Sequence, residues 1–280
     1  MNPGRVWAFG RYEIRRATAR KKVLVLVVVT ILLGTLPAVL IKSVGGSIFP
    51  PGDAPYVWVV GIFLVQGFFL PFTALLIAAG SMSEEYEQGT AEVLLSKPVS
   101  RDEYFAGKFT GGFLLITGVI LLNATLSVAS ASFAFGAQGA LNVLPPVVLA
   151  QVYSALVFFS IAFMSGELVR RSSLSYIIAS AIYFASEITG LLLRGIYTLT
   201  GSTLYQQINV YLPTTPGSSL PLQIGLPGIP AGAKDILLLI GSPTETSVAF
   251  SVGLIALYAL VPTAIARAHF NWVDIAKRVS

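Results

Sequence analysis

Six long apolar segments constrain the fold of this chain more than any other feature of its sequence. A helix of about 20 apolar residues crosses a bilayer core, and all six segments are close to this length or longer. Only 11% of the residues are charged, whereas soluble domains average about 25%. We therefore predict an all-α integral membrane protein whose six transmembrane helices cover residues of about 23–41, 56–80, 109–135, 145–164, 175–193 and 247–266.

The distribution of Lys and Arg predicts the orientation of these helices. Fifteen of the 18 basic residues fall in the N-terminal segment, the loops after the second and fourth spans, and the C-terminal tail. The other three are Lys42, Arg194 and Lys234, on the opposite side. Basic residues collect on the cytoplasmic side of membrane proteins. We expect both termini to be cytoplasmic, in the cell membrane, and attribute the net charge of +5 to topology rather than to nucleic-acid binding.

Residues 1–22 are predicted to form a separate cytoplasmic element ahead of the six-span domain, residues 23–280. A helix over residues 4–22 would turn its arginines away from one apolar face, formed by Val6, Trp7, Gly10, Ile14 and Ala17. Such a helix can lie in the membrane interface in contact with lipid. The alternative is a basic anchor that only fixes the topology.

A dense polar segment, EEYEQGTAEVLLSKPVSRDEYFAGK, joins the second and third spans on the predicted cytoplasmic side. Gly89 can end the second helix. A short helix over about 90–96 follows, capped by Thr90 and closed by Pro98. Ser100 and Glu103 have the spacing of a capping box, which begins the third helix. A helix this short is unstable alone, so it must pack either on its own chain or on a partner protein.

The same segment resembles the first cytoplasmic loop of permease subunits of type-2 ABC exporters. Those loops carry Glu, Gly-Thr, a small helix, Pro-Val-Ser-Arg and Gly-Lys in this order, here Glu87, Gly89-Thr90, residues 92–95, residues 98–101 and Gly107-Lys108. The resemblance implies a coupling helix docked on a separate ATP-binding-cassette ATPase subunit. It also implies a dimer of six-span units, either two copies or a pair with a similar permease.

In such a contact, carboxylates would meet a basic rim of the ATPase and apolar side chains would fill a groove. The candidate partner-binding residues are Glu84, Glu85, Glu87, Gly89, Thr90, Glu92, Val93, Leu94, Leu95, Pro98 and Arg101.

Other functional classes lack residues that they need. The chain has no Cys and no G-x-x-x-x-G-K-[ST] motif, so ATP would bind to another chain, and we expect no cofactor, metal or catalytic residue on this one. The Glu84-Glu85 pair resembles that of CAAX-type membrane proteases, but the arginine and the intramembrane histidines of that family are missing. An intramembrane protease is thus the remote alternative, and an ion-coupled secondary transporter is the nearer one.

Three polar residues inside the predicted spans mark a candidate substrate pathway: Gln66, Asn123 and Glu187. Glu187 is the only ionisable residue well inside a span, where such groups are costly and often functional. It either lines a transport path or pairs with a neighbour such as Arg194, and the two amides can equally join helices. Between the last two spans, the apolar island 235–240 indicates an interfacial or re-entrant helix, or a plain surface loop. The sequence does not name the substrate.

Overall fold

The computed structural model describes residues 1–44, 51–96, 99–240 and 246–273. Across these ranges the chain forms helices joined by short turns, and it forms no β-strand. The α-helices are α1 (Pro3–Ala19), α2 (Lys21–Val44), α3 (Val57–Gln66), α4 (Phe69–Glu87), α5 (Thr90–Leu95), α6 (Arg101–Phe135), α7 (Leu144–Val169), α8 (Ser172–Thr200), α9 (Thr203–Asn209), α10 (Thr214–Gly225), α11 (Ala231–Ile240) and α12 (Val248–Trp272). Three short 3-10 helices cover Pro51–Tyr56, Leu141–Val143 and Leu226–Gly228.

Most of these helices are long apolar spans. Among the described residues, α2, α6, α7, α8 and α12 are each long and apolar enough to cross a membrane, and α3 with α4 make a sixth span if the pair counts as one. The predicted all-α membrane fold is therefore confirmed. Each of these helices extends beyond its predicted span at one end or both; the largest extensions include those at the start of α6, which begins at Arg101, and at the end of α8, which continues to Thr200.

The second span is bent, where a single helix over 56–80 was predicted. α3 ends at Gln66, α4 begins at Phe69, and the two axes meet at 44°. Pro71 lies in the first turn of α4, where the missing N–H leaves no carbonyl unpaired. The ring of Phe68 packs at the break against those of Phe72 and Tyr183, so the bend is held by tertiary contacts.

Helix α7 is the centre of the bundle. It packs against α4, α12, α10, α8 and α6, and 72% of its membrane-spanning part is buried, compared with 22% in α2, α8 and α12. The exposed sides of those three outer helices are apolar, with residues such as Val25, Leu191 and Leu260 more than half exposed. Apolar side chains of this kind are suited to contact with lipid.

Helix α1 lies against α6 through two glycines. A Cβ atom added to Gly111 would lie 2.5 Å from the carbonyl oxygen of Gly10, so a side chain there would push the helices apart. The buried face of α1 is Gly10, Glu13 and Ala17. Of the predicted apolar face, Gly10 and Ala17 are thus buried together with Glu13, whereas Trp7 is 56% exposed. The predicted position of α1 in the membrane interface stays a prediction.

The turn between α4 and α5 depends on a glycine. Gly89 has φ 68°, a left-handed conformation that glycine adopts at little cost, and it ends the second span as predicted. Gly89 is also the N-cap of α5, so Thr90 is the first residue of that helix and not its cap. The predicted capping box is present, with reciprocal hydrogen bonds between Ser100 and Glu103. Pro98 lies outside the described residues.

The region between the last two spans is helical in its described part. α10 enters the bundle, where Leu220 and Leu222 are buried and the helix packs against α7 and α12. α11 contains the apolar island and packs against α3, with Leu237 fully buried. The plain-loop alternative is therefore excluded for the island, and α10 has the packing of a re-entrant helix.

Candidate functional site

The coupling segment, which we define as residues 84–101, presents one face of α5 outward. Val93 is 63% exposed, whereas Ala91 on the opposite face is 1% exposed. Glu92 and Ser96 are exposed beside Val93. Leu94 and Leu95 are half-buried against the core of this chain, so they serve its own packing in addition to any external contact.

The first two carboxylates of the segment point into the protein. Glu85 is fully buried and accepts hydrogen bonds from Lys108 and Tyr104. Glu84 accepts a hydrogen bond from the Tyr176 hydroxyl at 2.6 Å. The expectation of an exposed acidic rim therefore does not hold at Glu85, because charges from distant parts of the chain enclose it. Glu87 is exposed, and the backbone N–H of Ser172 donates to it at 2.9 Å.

Glu84 and Glu85 belong to a charge cluster that ties α1 to α4 and α6. Its members, which we call the clamp, are Glu13, Arg16, Arg20, Glu84, Glu85 and Lys108. The Nζ atom of Lys108 lies 2.6 Å from a carboxylate oxygen of Glu13, and both side chains are fully buried. Arg16 also donates to the carbonyl oxygens of Gly80 and Ser81 at 2.8 and 2.7 Å.

The clamp balances three formal negative charges with three positive ones. Burial alone would raise the pKa of Glu13, but the Lys108 ammonium and the Arg16 and Arg20 guanidinium groups outweigh it and lower the pKa below the usual glutamate value. Conversely, burial opposes the charged form of Arg16, but Glu13 and Glu85 raise the pKa of this guanidinium. Both groups are therefore charged at neutral pH, and the clamp fixes α1 to the base of the coupling segment.

The far end of the coupling segment is tied to α12. Arg101 donates to the carbonyl oxygens of Phe270 and Asn271, both at 3.0 Å, which are carbonyls that the end of a helix leaves unpaired. Next to it, Arg267 forms an ion pair of 2.9 Å with Asp102. Arg101 therefore holds α12 against the start of α6, a role within this chain.

A cavity between α4, α7, α8 and α10 brings together two of the three predicted pathway residues. Gln66 and Glu187 both line it. Their neighbours include Gln151 and Ser154 from α7, which the sequence analysis did not single out. The hydroxyl of Tyr183 donates to the carbonyl oxygen of Gly67 at 2.9 Å, so the bend of the second span forms part of the wall.

Asn123 lies elsewhere. It is buried on α6 and packs against Gly34 of α2, where Ser127 also donates to the Gly34 carbonyl oxygen at 3.0 Å. The structure therefore separates Asn123 from the cavity and places it where α6 packs on α2, with no hydrogen-bond partner for its amide among the described residues.

The sequence as a whole matches one family. The model of the family described as "ABC-2 family transporter protein" matches residues 7–275, nearly the whole chain. The chain belongs to the ABC-2 transporter family. No curated protein matches the chain in a comparison of whole sequences.

Family membership shows the general function of this ABC-2 protein but identifies neither its substrate nor the residues that contact it. It is a multi-pass membrane component of a transporter. Among its described residues, no group of three or more His, Asp or Glu side chains has an arrangement that could hold a metal ion. The features that remain for function are the exposed face of α5 and the cavity beside Glu187.

Sequence reasoning missed several residues that organise the ABC-2 protein. Glu13 was not singled out, and Lys108 was interpreted only as a topology signal and as part of the Gly-Lys pair, yet both are fully buried. Glu167 is also fully buried. One of its carboxylate oxygens lies 3.1 Å from the imidazole of His269, and the sequence did not indicate this pair. The position of Glu13 could have indicated its burial, because it lies on the same face of α1 as Gly10 and Ala17.

Proposed function

We propose that this ABC-2 protein is the permease subunit of an ATP-driven exporter and that α5 is its contact with a separate ATP-binding-cassette ATPase subunit. The observation that carries the proposal is the exposure of Val93 on a helix of six residues. A short helix with an exposed apolar centre and polar neighbours has the composition of a small protein interface. A second permease subunit, either another copy or a close relative, completes the transporter.

The contacts on either side of α5 support a role for this helix in transmitting movement from the ATPase to the membrane-spanning helices. The helix is flanked by the clamp at the end of α4 and by Arg101 at the start of α6. Both anchors are made inside this chain, so they do not compete with a partner for the exposed face. A pull or push on α5 would therefore act on α4, against which it packs.

A single substitution tests the contact. Val93→Asp puts a charge at the centre of the exposed face and leaves Leu94 and Leu95 in their own packing. Co-purification of the tagged permease with a co-expressed ATP-binding-cassette ATPase subunit should fall at least about tenfold, the effect of losing one central interface residue. Ser173→Asp is the matched control, because it adds the same charge at an exposed position outside the coupling segment.

Equal recovery of the ATPase with Val93→Asp and with wild type, together with unchanged transport, would contradict the proposal. The ion-coupled secondary transporter would then become the better explanation, since it requires no ATPase contact. The mass of the recovered complex also tests whether two permease subunits are present.

A further inference from the structure

The cavity beside Glu187 contains polar oxygens with nothing to bind. Within the described part of the chain, Gln66 Oε1, Gln151 Oε1 and Ser154 Oγ have no hydrogen-bond partner, although all three residues line the cavity. Their exposures are only 5%, 1% and 4%. Buried polar atoms in proteins are nearly always paired, so three in one cavity indicate a group that the cavity receives.

The orientation of both amides is fixed by the backbone. Gln66 Nε2 donates to the carbonyl oxygen of Gly217 at 3.0 Å, and Gln151 Nε2 donates to that of Ile62 at 3.3 Å. Rotating either amide by half a turn would place its oxygen against a carbonyl oxygen. The two free amide oxygens are therefore acceptors, the Ser154 hydroxyl can also accept, and Glu187 adds a carboxylate beside them.

The size of the space narrows the choice of ligand. The centre of a water-sized group can move within about 20 Å³ of the cavity, which is enough space for about one such group. A primary ammonium group has this size, three N–H donors and no acceptor. The rings of Phe158 and Tyr183, whose centroids lie 4.9 Å apart, also line the cavity, and aromatic rings attract cations.

We propose that this cavity binds the primary ammonium group of the transported molecule, with Glu187 as its counter-charge. The inference rests on the proposed transport function and names the substrate class, which is a primary amine with a hydrophilic body. The body would occupy a second cavity of about 260 Å³ that shares Glu187, Thr214 and Ser218 with the first. Polar side chains line this outer cavity, among them Arg194 and Gln206.

The binding test uses the full chain in lipid nanodiscs and radiolabelled glucosamine, a primary amine with a hydrophilic body, and the signal of empty nanodiscs is subtracted. We expect saturable binding of the free amine, and binding at least about tenfold weaker for its N-acetyl form, which lacks the charge. The N-trimethyl form keeps the charge but exceeds a water-sized space, so its binding should fall by a similar factor. This comparison uses the unmodified protein and does not depend on the folding of a variant.

Three variants locate the site. Glu187→Gln removes the counter-charge with little change of shape and should weaken binding of the free amine about 10- to 100-fold. Ser154→Ala removes one acceptor and should weaken binding less. Asn123→Leu is the matched control, because it deletes a buried amide that also lacks a partner among the described residues but lies outside the cavity.

Equal binding of the trimethyl and free amines, or unchanged binding in Glu187→Gln, would overturn the proposal. So would stabilisation of the protein by sodium ions through Glu187 with no binding of the amine, which would make this a metal-cation site. The binding assay contains no ATPase, so a negative result there would not affect the proposed α5 contact. A negative co-purification test would likewise not affect the amine-binding result.

Discussion

Replacing Lys108 with Met should release α1 from the bundle. Lys108 is fully buried between Glu13 and Glu85, so the substitution leaves three clamp carboxylates facing two guanidinium groups. A buried ion pair need not stabilise a protein relative to an apolar pair, but removing one partner costs about 3–5 kcal/mol. That corresponds to an increase of about 150- to 4,000-fold in the population with α1 detached.

The absence of cysteine makes this opening measurable. Ala17 is fully buried on the face of α1 that packs on the bundle, so a single cysteine introduced there reacts with a maleimide only when α1 detaches. The labelling rate follows the open population when closing is faster than reaction. We expect the rate of Ala17→Cys labelling to rise about 100-fold or more when Lys108→Met is added.

Two further proteins separate the charge effect from general damage. Lys21→Met removes an exposed lysine on the neighbouring helix, and surface changes of this kind shift stability by less than about 0.5 kcal/mol, so labelling should change about twofold at most. Adding Glu85→Gln to Lys108→Met restores the charge balance and should recover at least about tenfold of the protection. A monodisperse Lys108→Met protein that labels at the wild-type rate would refute the argument that the clamp holds α1.

Two other predictions concern topology and pH. In intact cells, an impermeant thiol reagent should label Ser202→Cys but not Gln88→Cys, both exposed positions; the reverse pattern would overturn the orientation. The lowered pKa of Glu13 means that the folded state favours its charged form, so its contribution to stability is complete above about pH 4.3 and is lost as the pH falls through the folded-state pKa. The melting temperature in nanodiscs should therefore fall on acidification, and less so in Glu13→Gln.

Local sequence signals predicted the parts of the fold that depend on neighbouring residues. The long apolar spans, the left-handed Gly89 and the Ser100–Glu103 capping box each follow from a few adjacent side chains. Thr90 failed as a cap because Gly89 already takes the N-cap position. These features need no knowledge of the tertiary structure.

The rest depends on residues that are distant in sequence. Glu85 is buried in the clamp with Lys108 and Glu13. Glu13 lies 72 positions before it and Lys108 lies 23 positions after it, so no local sequence pattern predicts that the three side chains meet. The bend of the second span is held by Tyr183 of α8. The cavity was half predicted: the cost of a polar group in a span pointed to Gln66 and Glu187, but Gln151 was overlooked in the apolar run of α7.

The bend at Gly67 would allow α4, the second helix of the bent span, to pivot as a rigid unit. α4 has 19 residues and is therefore about 28 Å long, with the cavity wall at one end and the clamp at the other. A pivot of about 10° at the bend would carry the clamp end through about 5 Å, given that length. Because the clamp joins that end to both α1 and α6, the movement would also pull on these two helices. A displacement of α5 would then reach the cavity as a change of angle without any change in helix length.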